Sequence, residues 1–365
     1  MRPHRKVFTL PTYTTVSGRT LQQVRVGYET YGTLNAARDN AVLVCHFFSG
    51  TAHAAGRYQD SDVLPGWWDG AIGPGKCIDT DRYFVISSDS LCCLKVFDGH
   101  VVTTGPASLN PDTGKPYGLD FPIITVADMV HVQKALVESL GIESLVAVAG
   151  PSAGSVQAIQ WSVEYPEMVQ RVVAVISPGL GVTPYARSMV ECWCIPIHLD
   201  PAWKHGAYEP TEQPVRGMNE AFRLTFFSCI SPAWLNKTFG DAWSNPEHDP
   251  ITSIDHQYRA FTGVGTLASA STEVCDANHI LYMTRAAALY NVRPKIAQAR
   301  AKYLFIPADS DLLSLPSYSQ DAIQEIQATG GRAELFTLKG EGGHFDGLTL
   351  IDQARETIQT FLATD

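Results

Sequence analysis

No stretch of this 365-residue chain approaches the roughly 18 consecutive apolar residues that a membrane-spanning helix needs. The start, MRPHRKVFTLPTYTTVSG, is too short in apolar residues and too polar to form a signal-peptide core, so a cytoplasmic protein is expected. No C-x-x-C pair occurs among the eight cysteines, and a large chain without a signal segment is expected to keep most of them as buried, reduced thiols. The nearest approach to a metal cluster is Cys192, Cys194 and His198 in CWCIPIH. Its spacing fits no standard zinc pattern, and no metal is expected. No block of lysine and arginine is present, and the formal net charge is −10, which disfavours nucleic acid and anionic membrane as partners. Internal repeats and low-complexity tracts are absent too. What is left is ordinary globular composition, 45% hydrophobic, with enough chain for a large core carrying an inserted subdomain.

What the chain does have is a rhythm. Short apolar runs recur at AVLVCHFF (41–48), YFVISSD (83–89), LVAVAG (145–150), VVAVIS (172–177), YLFIPAD (303–309) and ELFTLKG (334–340). Continuous apolar character suits strands covered on both faces of a mostly parallel sheet. Amphipathic segments at 124–142, 153–165 and the C-terminus predict helices between and after them, which makes an α/β fold of helices on both sides of a sheet. The rhythm breaks between residues 183 and 290, where aromatics, prolines and helix-compatible stretches replace clean strands. The expectation is a core built from residues 1–182 and 291–365, with 183–290 inserted as a helical lid.

Gly150-Pro151-Ser152-Ala153-Gly154 fits G-x-S-x-G. Glycine and serine are common, so the pattern gains weight only from its setting: a strand runs into it and a helix runs out, as a nucleophile elbow requires. Small residues on either side suit a crowded turn, and the helix N-terminus favours developing negative charge. A serine hydroxyl needs a base, and the base an orienting acid, in the chain order Ser, Asp/Glu, His. His344, flanked by glycines in LKGEGGHFDGL, is the candidate base. Asp309 and Asp311 both follow the late strand YLFIPAD, and pattern alone does not choose between them. Oxyanion donors are expected at the N–H of Ala153 and in the CHFFSG loop, at Phe48 or its neighbour. Phe47 and Phe48 suit an apolar substrate pocket.

YETYGTLN, NAVLVCHFFSGTAHAAG, GWWDGAIGPGKCIDTDRYFVI, GPASLNPDTGKPYGLDFP and ITVADMV together resemble the homoserine O-acetyltransferase family of the α/β-hydrolase superfamily, over nearly the whole chain. The resemblance implies a Ser-Asp-His triad at Ser152, Asp311 and His344, oxyanion donors at Phe48 and Ala153, a covalent acetyl-enzyme, and a homodimer joined through lid helices. The acceptor side departs from the family. Where the family has Gly-His-Asp, with the aspartate serving the acceptor's ammonium, this chain has Gly343-His344-Phe345, and Asp346 falls one residue later. The family's lid arginine falls in register on Phe222, with Arg223 beside it but about 100° around a helix, and Phe222, Arg223 and Phe345 are expected with Phe47 to line the substrate pocket. Ala153 and Ser155 replace the methionine and glycine usual after the nucleophile.

A zwitterionic acceptor needs charged partners, and their replacement by apolar groups costs affinity and orientation. The expectation is therefore an esterase that cleaves acetate and other short-chain esters through an acetyl-serine discharged to water, resembling the ester-hydrolase branch related to these transferases. No cofactor is needed for that reaction, and the partner is a small-molecule ester. The alternative is an O-acetyltransferase moving acetyl from acetyl-CoA to homoserine or another alcohol. A third reading, a catalytically silent binding scaffold, is disfavoured by the complete Ser-Asp-His set.

Overall fold

The computed structural model describes residues 1–364, so residue 365, the last of the expected core segment, lies outside the description. Eight strands form one sheet: β1 (Lys6–Thr14), β2 (Thr20–Tyr31), β3 (Ala41–Cys45), β4 (Phe84–Ser88), β5 (Ala147–Pro151), β6 (Arg171–Val175), β7 (Lys302–Ile306) and β8 (Arg332–Leu335). Their order is β1-β2-β4-β3-β5-β6-β7-β8. β1 pairs antiparallel with β2, and β2 antiparallel with β4; the remaining pairs are parallel.

Each of the six apolar runs supplies one strand of this parallel part. In β3 to β7 the side chains alternate between two cores, while the edge strand β8 is largely exposed. Leu43, Val148, Val172 and Phe305 face one, with α1 (Val126–Ser139) and α2 (Ala153–Glu164) packed on it. Val42, Ala149, Val173 and Leu304 face the other. That period of two, apolar on both faces, is what a doubly covered sheet demands. β1 carries no such run: its residues are mostly exposed, and the pair β1–β2 extends the sheet as an antiparallel edge.

Between β6 and β7 the chain forms six α-helices: α3 (Pro184–Cys192), α4 (Ile195–Leu199), α5 (Val215–Cys229), α6 (Pro232–Phe239), α7 (Arg259–Thr272) and α8 (Ala277–Ala288). An antiparallel bridge between Gly181 and Asn291 ties the two ends of this block together. Met218, Phe222, Ile280 and Met283 from the block share a third core with Leu21, Val24, Phe121 and Met129. α9 (Pro316–Ala328), the short α10 (Asp346–Thr349) and α11 (Arg355–Ala363) complete the chain.

Among the described residues no helix is long and apolar enough to cross a membrane, and no group of three or more His, Cys, Asp or Glu side chains is placed to hold a metal ion. All eight cysteines are free thiols, and six of them are buried.

Candidate active site

Ser152 sits between the end of β5 and the start of α2 with φ 55° and ψ −121°, a region that non-glycine residues rarely occupy. Its neighbours explain how the turn is held. Its N–H donates to the carbonyl of Val175 on β6 at 2.9 Å. A Cβ on Gly150 would lie 2.5 Å from the carbonyl oxygen of Cys45, and one on Gly154 would overlap that same atom. Both glycines are therefore demanded by the close approach of the elbow to the end of β3. That contact also sets the 46–48 loop directly beside the elbow. The Nδ1–H of His46 donates to the Phe47 carbonyl at 2.7 Å, and its Nε2 accepts the Ser90 N–H at 3.1 Å. Burial holds this imidazole neutral, lowering its pKa from 6.5 to about 4.

Asp311 follows β7 and is buried. It accepts the N–H groups of Leu313 (2.8 Å) and Ser314 (3.0 Å), and its second oxygen lies 2.7 Å from Nδ1 of His344. With Nδ1–H donating to that carboxylate, Nε2 carries the free lone pair. This Nε2 is buried and has no hydrogen-bond partner. Asp309 goes elsewhere: it pairs with Lys339 at 3.3 Å and accepts the N–H of Gly340 at 3.1 Å. Of the two carboxylates that the sequence pattern left open, Asp311 is the one in contact with His344.

The His344 loop is itself clamped. Gly343 has φ 70°, and a Cβ there would overlap the Cys229 carbonyl at the end of α5. Its N–H donates to the Ser310 hydroxyl at 3.0 Å. Asp346 turns inward rather than toward an acceptor. Its carboxylate accepts the Gly342 N–H (2.9 Å) and the Ser310 hydroxyl (3.3 Å), and burial raises its pKa above the usual carboxylate value.

Two cavities meet at Ser152. One, of about 70 Å³, is lined by His344, Phe345, Phe47, Thr225, Phe226 and Cys229, among others. The other, of about 100 Å³, lies between α1, α2, α3 and α8. Phe48, Ser152, Trp193 and Leu313 border both. Ala153, as the first residue of α2, has an N–H with no preceding turn to accept it. Among the described residues no carbonyl accepts the N–H of Phe48 either. Ser152 and His344 therefore border one space with two nearby backbone donors, an arrangement that can carry out acyl transfer.

Two expected pocket residues are not there. Phe222 is buried in the third core, and Arg223 points away to α7, with Nη1 donating to the Phe261 carbonyl at 2.6 Å and the guanidinium over the Phe261 ring. The face of α5 that reaches the cavity lies one turn further on, at Thr225, Phe226 and Cys229, and Phe226 stacks on Phe345 with ring centroids 6.0 Å apart. Phe226 and Cys229 follow Phe222 at helical spacings of four and seven. That periodicity could have found them, whereas a single-residue register could not. Trp193, whose ring packs edge-on to Phe48 at 5.7 Å, lies within CWCIPIH, where the cysteines and histidine raise the question of metal binding and nothing in the pattern marks the tryptophan.

Known proteins resemble this chain over most of its length. A family model described as the alpha/beta hydrolase fold matches residues 64–348. A homoserine O-acetyltransferase of Methanosphaerula palustris is 40% identical over 97% of this chain and 72% of its own length. The chain belongs to the homoserine O-acetyltransferase family of the α/β-hydrolase superfamily. Within that family, an enzyme of the same name from Symbiobacterium thermophilum is 38% identical over 95% of this chain and 90% of its own. Among solved structures, esterase E22 is 43% identical, with TM-score 0.94 and coverage of 99% and 100% of the two chains. Homoserine O-acetyltransferase from Bacillus anthracis is 37% identical, with TM-score 0.95 and coverage of 100% and 99%. This acetyltransferase-family chain is thus an enzyme of the superfamily whose similar proteins carry both transferase and esterase names.

Proposed function

We propose that this protein is a serine ester hydrolase that cleaves short-chain esters, acetates among them, through an acyl-Ser152 intermediate discharged to water. Ser152 Oγ attacks the ester carbonyl while its proton passes to Nε2 of His344. Asp311 keeps the imidazole in the required tautomer and stabilises the imidazolium. The N–H groups of Phe48 and Ala153 receive the oxyanion. The carbon–alkoxy bond breaks, and Nε2 returns the proton to the departing alcohol. A water then gives a proton to Nε2 and attacks the acyl carbon. The Oγ–acyl bond breaks, Oγ regains the proton, and a carboxylic acid leaves.

The observation that carries the choice of water over an amino acid is the lining of the two cavities. Neither wall contains an aspartate, glutamate, lysine or arginine. Homoserine brings an ammonium and a carboxylate, and burying either without a partner is costly. Phe345, stacked on Phe226, stands where the family's ammonium partner would be. The names of the curated relatives support a second reading, acetyl transfer from acetyl-CoA to homoserine. In either reading the helices α3–α8 act as a lid over Ser152, and the homodimer through that lid, implied by family resemblance, is part of the proposal.

The purified protein should be given 4-nitrophenyl acetate, and separately acetyl-CoA, each with and without homoserine. The expected result is steady acetate release from the ester that homoserine does not accelerate. Formation of O-acetylhomoserine faster than acetate release would overturn the hydrolase reading in favour of transfer.

A further inference from the structure

We propose that the cavity between α1, α2, α3 and α8 is the acyl-chain site, and that it gives the enzyme a preference for chains longer than acetyl. This rests on the reading of Ser152 as the nucleophile toward esters. The two cavities at Ser152 are not equivalent. His344 borders only one of them. The leaving alcohol must take its proton from Nε2, so it departs on that side. The second cavity lacks His344 but includes Ser152 together with Phe48 and Ala153, the two oxyanion donors. An ester whose carbonyl oxygen points at those donors, and whose alkoxy group points at His344, has its acyl chain left to run into this second space.

The space is larger than a methyl group requires. It follows α2 from Ala153 past Val156 to Gln157, a rise of about 6 Å. It continues to Met129 on α1 and is closed from above by Ala186 on α3 and Ala286 on α8. Alanines at those lid positions leave the room that larger side chains would fill. Apart from Ser152, Gln157 and Ser314, every lining residue is apolar. The Gln157 amide is already engaged: its Nε2 donates to the carbonyls of Ala153 (3.3 Å) and His46 (3.4 Å), and its Oε1 accepts from Gln133 at 2.7 Å. It therefore offers no spare polar group to the cavity. An acetyl group leaves most of this wall untouched, whereas an unbranched chain of several carbons covers it. Each methylene so buried raises kcat/KM by about fourfold.

The test uses 4-nitrophenyl acetate, butanoate, hexanoate and octanoate, so that the leaving group is constant. Activity per unit kcat/KM is expected to rise from acetate through butanoate toward hexanoate. The substitutions Ala286→Phe and Ala186→Phe, on two separate helices, each fill the cavity and are expected to lower the hexanoate-to-acetate ratio of kcat/KM at least about tenfold. Circular dichroism establishes which variants fold, and one folded variant is enough to read the ratio. Acetate as the best substrate, with that ratio unmoved in a folded variant, would overturn the acyl-site assignment and leave the hydrolase reading standing. Failure to hydrolyse any ester in the series, acetate included, would overturn both.

Discussion

Ser152 holds its place against its own backbone preference. Its φ of 55° and ψ of −121° suit glycine, and the conformation persists because β6 binds its N–H and the Cys45 carbonyl crowds the glycines on either side. Strain of this kind trades stability for an exposed nucleophile. Ser152→Gly is therefore expected to be more stable than Ser152→Ala by about 1 kcal/mol, despite the greater freedom glycine gains in the unfolded chain. Both should lack ester turnover. Urea midpoints for the two variants and wild type measure the difference, and equal midpoints would show that the turn stores no strain.

The two aspartates that the sequence pattern could not separate provide a second contrast at this scale. Asp311→Asn leaves a neutral amide against Nδ1 and favours the wrong imidazole tautomer, a change worth about 10⁴ in kcat. Asp309→Asn loses a surface pair with Lys339 and one loop hydrogen bond. Its effect should stay within about fivefold. Steady-state kinetics with one acetate ester distinguishes them, and comparable losses would contradict the role given to Asp311.

At the scale of elements, legibility followed burial. The five strands β3 to β7, buried along nearly their whole length, announced themselves as apolar runs, and α1 and α2 by helical spacing; the largely exposed edge strand β8 was found only through the apolar residues at its end. β1 did not, because its side chains are mostly exposed and carry no continuous apolar run, although it pairs with the next strand in the chain as one arm of an antiparallel hairpin. In the site, Ser152 and His344 were legible because strand-turn-helix context and flanking glycines constrain the backbone. The acceptor side was not. Which face of α5 meets the cavity is set by packing on α7, and Arg223 is part of that packing. It forms an ion pair with Glu220 at 2.9 Å, donates to the Phe261 carbonyl, covers the Phe261 ring, and lies against Gly265. Arg223→Ala is accordingly expected to cost about 1–2 kcal/mol of stability through lost packing and hydrogen bonds. Because the residue does not border either cavity, kcat/KM for an acetate ester should change less than about threefold. Thermal melts and kinetics on the same preparation test both halves. A large loss of activity at unchanged stability would return Arg223 to the substrate pocket.

The response of the whole molecule to acid includes two buried groups of opposite sign, His46 and Asp89. His46 has a folded pKa of about 4 against 6.5 in the unfolded chain. Between those values the unfolded state takes up a proton that the folded state refuses, so stability is lost as pH falls, by about 1.4 kcal/mol per unit at full slope. Asp89 is raised from 3.8 to about 6, chiefly by burial against the partial relief of Arg5. Between those values the folded state holds a proton that the unfolded state has released, so acidification from pH 6 to about 4 favours folding through this group. The two contributions oppose one another across that window, so in wild type each partly masks the other. Replacing His46 by glutamine removes one of them. In urea titrations from pH 7 to 4, His46→Gln should therefore gain on wild type by about 1.4 kcal/mol per unit as pH falls below 6.5, whatever its stability at neutral pH. Asp89→Asn should do the reverse and lose on wild type between pH 6 and 4. A difference between wild type and His46→Gln that is constant across this range would mean that His46 titrates alike in the folded and unfolded chains. The neutral imidazole that orders the Phe47–Phe48 loop would then have no energetic signature.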